Sequence, residues 1–316
     1  MRRAVDRDGS GGQFILTGSS APIIQPTHSG AGRIVTLRMR PLSFFERALS
    51  TPTVSLRQLL QGTRPPIEGS SPLNLTDYVR EITSSGFPAI RSLSPQVRGL
   101  ELDGYIDRIV EHDFLELGRS VRNKNALRRW MLATAASVSS NASFEVIRDA
   151  ASGGKDEKPS KVTTIAYRRI LEQLWILDDV PSWLPTHNRL SRLGVAPKHQ
   201  LADPALALQL LGVGEDGLLS NKDLAIATPR DGSLLGAMFE SLTVQSLRVY
   251  AQASQARVSH MRTHSGHHEV DAIVERTDGR IVAFEIKLAQ VPQDRDVRHL
   301  KWLEDQIGGD LLDCSD

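Results

Sequence analysis

Along most of the chain apolar residues recur at helical spacing, and only one short ribbon near the C-terminal end alternates strictly. Between Asn125 and Ser139, Leu127, Met131, Ala135 and Val138 fall on one stripe, the mark of an amphipathic helix. Val162, Ile165, Ala166, Ile170, Leu174 and Leu177 predict a second buried helical face, ending before Pro181 and Trp183. Helix, loop, helix and a short strand pair give the outline of a winged helix. Leu75 to Gly118 is helical in pattern, interrupted by the turn at Gly86, Phe87 and Pro88. Further helices are expected from Ser233 through "SLLGAMFESLTVQSLRVYA" and from about Asp294 to Gln306.

The N-terminal stretch reads differently. Phe14 to Leu16 form a short apolar run that stops at Thr17-Gly18-Ser19-Ser20, as a buried parallel strand does at its carboxyl end. "GRIVTLRMRPLSFFERAL" predicts a second strand, a break at Pro41, and a helix capped by Ser43 with Glu46 three residues on. Residues 51–70, rich in Pro, Gly, Ser and Thr, read as a loop.

The alternating ribbon is "HHEVDAIVERTDGRIVAFEIKLA", residues 267–289. A two-residue turn at Asp278-Gly279 would face Asp271 away from Glu285 and Lys287. A three-residue loop, Thr277-Asp278-Gly279, with Gly279 in the left-handed conformation of a G1 bulge, shifts the pairing by one. In that register Val270, Ala272, Val274, Val282, Phe284, Ile286 and Leu288 line one wholly apolar face. Asp271, Ile273, Glu275, Ile281, Ala283, Glu285 and Lys287 line the other, with Asp271 opposite Glu285. At about 25 cal/mol per Å² of apolar surface buried, the unbroken face selects this register. Two opposed carboxylates suit a hard divalent cation such as Mg²⁺, and the Lys287 ammonium beside it can hold or deprotonate a water for attack on phosphorus. The same charges also describe an ion-pair triplet in which Lys287 neutralises both acids.

Composition narrows the setting. The 316 residues suffice for two or three compact units, and a net charge of +1 means that any nucleic-acid affinity must come from a local patch. The single cysteine, Cys314, excludes an intrachain disulfide and a multi-cysteine zinc site. No run approaches the roughly 18 to 20 apolar residues of a membrane span, and no apolar region follows the charged N-terminus. A cytoplasmic protein without a membrane partner is expected.

"EVDAIVE" and "GRIVAFEIKLA", with "GAMFESLTVQSL" upstream, resemble the PD-(D/E)XK restriction-endonuclease-like core. The resemblance maps Asp271, Glu285 and Lys287 onto the D...ExK motif and Glu240 onto the acidic residue of the first helix, which implies catalytic roles for all four and Mg²⁺ ligation by Asp271 and Glu285. Together with "GQFILTGSS", "SGFPAI", "YIDRIVEHDF", "RRILEQLWILDDVPSW" and "PKHQLADPALALQLL", these stretches resemble a family of bacterial and archaeal AAA-type ATP-binding proteins. The implied fold is a multi-domain α/β protein. Residues 1–50 would be the remnant of a parallel AAA-type sheet, 51–120 a helical lid-like region, 121–200 a winged-helix-like region and 201–316 an endonuclease-like α/β domain. One departure stands out: none of the 316 residues fits the family's P-loop pattern. ATP binding is therefore expected only if a P-loop half lies upstream, and a late start or a truncated gene is the expected reason. Three functions follow: the C-terminal part of such an ATP-binding protein, an Mg²⁺-dependent DNA nuclease, or a non-catalytic module that binds DNA or a protein partner.

Three other features hold chemistry-bearing side chains. "GRSVRNKNALRR" offers Arg119, Arg122, Lys124, Arg128 and Arg129 to DNA phosphates, with no acid between Glu116 and Glu145. His260, His264, His267 and His268 cluster before the ribbon without a defined metal-ligand spacing. By analogy with ring ATPases Arg108 would be an arginine finger toward a neighbouring subunit's nucleotide; the plainer reading is a surface helix residue.

Overall fold

The computed structural model describes residues 6–7, 10–18, 34–117, 121, 123–152, 158–185, 195–220, 233–263, 266–289 and 293–315. It is a mixed α/β protein. In chain order the helices before the sheet are α1 (Leu56–Leu59), α2 (Leu75–Thr83), α3 (Pro88–Arg91), α4 (Pro95–Arg108), α5 (Phe114–Glu116), α6 (Lys124–Ala136), α7 (Phe144–Ala150) and α8 (Lys161–Gln173). A π-helical turn, Ile109–Asp113, joins α4 to α5. The two-residue strand β1 (Ser182–Trp183) precedes α9 (Pro204–Leu211), α10 (Glu215–Leu219) and α11 (Leu234–Ala253). Then come β2 (Arg257–Arg262), β3 (Glu269–Glu275), β4 (Ile281–Phe284), α12 (Arg298–Ile307) and β5 (Leu311–Ser315).

While Leu56 and Leu59 of α1 pack with the sheet, the helices from α2 to α10 enclose one continuous apolar core. It runs from Val79 and Ile82 in α2 through Leu127 and Met131 in α6 to Leu206 and Leu208 in α9, and takes in Met238 and Leu242 of α11. Local caps start several of these helices. Asn74 and Asp77 form a reciprocal capping box at α2, and Ser143, Ser160 and Ser233 each accept a backbone N–H at α7, α8 and α11. Asp203, fully buried, accepts from Ala205 N–H at the start of α9 and from Gly86 N–H, so one carboxylate caps a helix and pins the Gly86 turn.

The C-terminal sheet has the order β1-β2-β3-β4-β5. Its three central strands run antiparallel, while β1 lies parallel to β2 and β5 parallel to β4. Both faces are covered. Val244, Leu247 and Ala251 of α11 pack on Ala272, Val274 and Val282, and Leu300 and Leu303 of α12 pack on Ile273, Ile281 and Ala283. Helix α11 thus buries its first half in the helical core and its second half on the sheet.

Several expectations are corrected here. Neither Phe14–Leu16 nor the segment from Ile34 onward forms a strand; both are extended chain without ladder partners, and Ile15, Val35 and Met39 are each at least 85% exposed. An isolated strand has nothing to satisfy its backbone groups, so these segments stay outside the sheet. The second is held by charge instead: Arg38 and Arg40 reach Asp178 at 2.7 and 2.8 Å, while Val35, Leu37 and Met39 face outward. Arg248 of α11 joins the same carboxylate at 2.6 Å. Residues 44–48 form turns rather than a helix, although Glu46 accepts from both the N–H and the hydroxyl of Ser43 as a cap would. In α8 the buried face is Thr164, Tyr167, Ile170 and Leu171, whereas Val162 and Ile165 point to solvent. Tyr167 packs edge-on against Phe114 and tilts against Trp130, and burying that ring fixes the rotation of the helix. Helix α12 covers the mixed face of the ribbon.

Gly279 has φ +88° with open space where a Cβ would lie, so Gly279→Ala should cost about 1 kcal/mol through backbone strain alone. Gly104, in α4 with ordinary φ and the same open space, should gain about 0.5–1 kcal/mol as Ala. Denaturant melts of the two variants check the pair; equal signs would contradict it.

Candidate functional site

The ribbon closes in the three-residue register. Arg276 N–H donates to Arg280 C=O at 2.9 Å, and Ala272, Ile273, Val274 and Glu275 pair with Phe284, Ala283, Val282 and Ile281. One step past the last ladder pair, Asp271 stands opposite Glu285. Regular pairing ends there because Ile286 N–H donates to Asp271 Oδ2 at 3.0 Å instead of to a strand carbonyl. Lys287 places Nζ 2.6 Å from Glu285 Oε1 and 3.7 Å from Asp271 Oδ2, so the three motif residues do converge. On the apolar face Ala272, Val274, Val282, Phe284 and Ile286 share one cluster as expected. Val270 belongs to the opposite cluster, next to the register shift between Ser259 and Met261.

A residue that no motif or periodicity singles out dominates the site. Lys198, only 1% exposed, enters from the segment that follows α8 and places Nζ 3.0 Å from Glu240 Oε1, 3.2 Å from Glu269 Oε1 and 3.1 Å from Asp271 Oδ1. Its backbone is fixed by a pair of hydrogen bonds with Val180, of 2.9 and 3.0 Å, in an antiparallel bridge. A second bridge joins Leu177 and Leu201. Glu269 is shared with Arg262, 3.2 Å away. Lys198 lies about seventy positions from Glu269 and Asp271, a separation that strand or helix periodicity does not reveal.

Burial and charge oppose each other here. Burial pushes the Glu240 carboxyl up to about 8, and Lys198 offsets only part of this. Glu285 rises to about 7, first through burial and then through the neighbouring Asp271 charge. Burial also opposes ionisation of Asp271, but Lys198 and Lys287 outweigh it and hold that carboxyl below its ordinary value. Lys198 is itself buried, and its three carboxylate neighbours more than compensate, raising its pKa. His260, on β2, is held neutral down to about 4 by burial and by the Lys198 charge.

The Mg²⁺ that the resemblance implies does not fit the carboxylates as they stand. Asp271 gives one oxygen to Lys198 and the other to Ile286 N–H, and Glu285 gives Oε1 to Lys287. Of the four oxygens of Asp271 and Glu285, only Glu285 Oε2 is without a hydrogen-bond partner. A cation at Asp271 would meet the Lys198 ammonium.

The other candidate groups do not assemble. Lys124 pairs with Glu111, Arg128 with Asp107, and Arg129 donates to the Ala151 carbonyl, while Arg119 and Arg122 lie outside the described residues. Arg108 pairs with Asp113 of the adjoining π-helical turn at 3.5 Å. His260 is fully buried on β2, His268 stacks on Trp302 at 4.1 Å, His267 is exposed and His264 lies outside the described residues. Among the described residues no group of three or more His, Cys, Asp or Glu side chains could hold a metal ion.

Two family models match the chain in tandem. Residues 75–217 match a domain of unknown function (DUF8612) and residues 235–314 match another (DUF4143). The DUF4143 domain is often found with AAA ATPase N-terminal domains. No curated protein and no solved structure matches. Lys198 belongs to the DUF8612-matching segment and its carboxylates to the DUF4143-matching one, so the ion cluster joins the two. Among the described residues no helix is long and apolar enough to cross a membrane.

A carboxyl whose folded pKa lies above its ordinary 4.5 favours folding when protonated, so its contribution is full at low pH and is lost as pH rises through the folded value. With Glu240 near 8 and Glu285 near 7, stability should fall by about 3 kcal/mol from pH 6.5 to 9, where both protons have been lost. Glu240→Gln should flatten most of that slope in thermal melts; an unchanged slope would show that Glu240 does not hold its proton.

Proposed function

We propose that the chain is the C-terminal part of a AAA-type ATP-binding protein, and that its nuclease-like domain serves as a non-catalytic module for binding a protein partner. The observation that supports this most directly is the Lys198 ammonium seated among Glu240, Glu269 and Asp271. A nuclease of this kind needs those carboxylates for a metal ion and a water, and here they are occupied by a side chain. The order helix, three antiparallel strands, helix and a parallel last strand supports the nuclease-like reading of the domain. The tandem match with a domain that accompanies AAA ATPase N-terminal domains supports the wider assignment.

A protein partner is favoured over DNA because the described basic residues of the 119–129 stretch already hold acids or a carbonyl from neighbouring elements. The outward row of exposed apolar side chains at Val35, Leu37 and Met39 is also the kind of surface that a protein partner covers. The rival reading, an Mg²⁺-dependent nuclease using Asp271, Glu285 and Lys287, draws on the direct opposition of the two acids and the unpartnered Glu285 Oε2. ATP hydrolysis is assigned to the chain on neither reading, since the P-loop pattern is missing from its sequence.

A cleavage assay on plasmid and single-stranded DNA separates the two. The full chain with Mg²⁺ or Mn²⁺ should show no more cleavage than Lys287→Ala. Metal-dependent cleavage that disappears in Lys287→Ala would overturn the non-catalytic reading. Duplex DNA should bind no more tightly than about 10⁻⁴–10⁻⁶ M at physiological salt, the non-specific range; tighter binding with a steep salt dependence would restore DNA as the partner.

A further inference from the structure

We propose that the chain binds a small phosphate-bearing ligand in an open cavity of about 470 Å³ between α1, the C-terminal end of α11 and the turn of the ribbon. The cavity lies past the end of β3, whereas the carboxylate cluster around Lys198 lies near its start, so this site stands apart from the proposed function.

The lining is rich in donors and holds no carboxylate. Arg57 and Gln61 come from α1 and the residues just after it, Ser254 and Gln255 from the end of α11, and Arg276 and Thr277 from the ribbon. Among the described residues, the side chains of Arg57, Gln61, Ser254, Gln255 and Thr277 have no hydrogen-bond or ion-pair partner within the protein. Arg276 is fixed at the cavity by donating to Leu60 C=O at 2.7 Å and to Asp278 at 3.0 Å, and Asp278 is itself shared with Arg280. Positive charge is therefore in excess. Two guanidiniums, two amides and two hydroxyls present more N–H and O–H donors than a carboxylate takes up. A phosphate ester brings about three acceptor oxygens and a charge of about −2 to the same point.

The walls are preformed. Leu56, Leu59 and Leu60, Ala251 and Val274 share one apolar cluster, so α1, the end of α11 and the ribbon are packed on the same core around the cavity. Gln255 takes the left-handed conformation, φ +54°, that ends many helices and that glycine adopts with the least strain. A glutamine there holds its amide at the cavity against the backbone preference, and strain of this kind collects at ligand sites. The last carbonyls of α11 oppose an anion, but the N–H groups of Ser254, Gln255 and Ala256 donate to those of Tyr250, Ala251 and Gln252.

Pyrophosphate is the probe, titrated calorimetrically into the full chain at fixed ionic strength and followed in parallel by thermal melts. The wild-type chain should take up one pyrophosphate with a Kd of about 1 mM or tighter and gain Tm. Arg57 is exposed, so Arg57→Ala should melt as the wild type does without ligand and bind at least about tenfold more weakly. Gln255→Gly should melt at the same temperature or higher and still lose about three- to tenfold in affinity, which separates the amide's contact from any loss of fold. Arg295→Ala, exposed and outside the cavity, should bind as the wild type does. The proposal is overturned if pyrophosphate does not bind, if Arg57→Ala binds it unchanged, if Arg295→Ala weakens it as much, or if malonate, a dicarboxylate, binds as tightly.

Discussion

A buried ammonium held by carboxylates from a helix and a strand is the constraint on which the rest of the molecule turns. Lys198 cannot sit at 1% exposure unless Glu240, Glu269 and Asp271 surround it, and those acids cannot be packed so closely without it. Removing one side of such a cluster leaves uncompensated charge out of water, at a cost of about 3–5 kcal/mol. The cluster relieves its own excess of acid in two ways. Lys287 covers Glu285, and burial keeps Glu240 and Glu285 protonated up to about pH 8 and 7.

Helix α11 is what brings the two bodies within reach of that interaction. Met238 and Leu242 lie in the helical core and Val244, Leu247 and Ala251 on the sheet, so Glu240 falls at the junction. A second charged cluster braces the same helix: Arg248 shares Asp178 with Arg38 and Arg40, and burial of that carboxyl is outweighed by the three guanidiniums. Through it the extended segment 34–40 is tied down by its alternate arginines, leaving its apolar positions turned away from the protein.

The chemistry of the proposed function is one of subtraction. Asp271, Glu285 and Lys287 come together on the ribbon, but each of the two acids already has a cationic neighbour. Lys124 and Arg128 of α6 are likewise answered by Glu111 and Asp107, from the π-helical turn and from α4. In both places charges that look available along the chain are spent on partners that come close only in space.

Local rules were enough for the ribbon. Its alternation and the glycine at position 279 fixed a three-residue loop, and with it the opposition of Asp271 and Glu285, because strand pairing has a period of two and a loop length sets its phase. The stripe of Leu127, Met131, Ala135 and Val138 and the start of a helix near Ser233 were legible for the same reason, since each depends on neighbours within a turn or two. Strands β1, β2 and β5 were not, being short segments whose assignment depends on what pairs with them. The rotation of α8 was decided by the Tyr167 ring finding Phe114 and Trp130. Periodicity also offered nothing on Lys198 or on the fate of the Phe14 and Ile34 segments. A lysine in a loop reads as solvated, and an apolar run reads as a strand. Only the three-dimensional arrangement decides whether carboxylates gather around the one or a neighbouring strand exists for the other, because electrostatic and ladder partners are chosen by distance in space and not by distance along the chain.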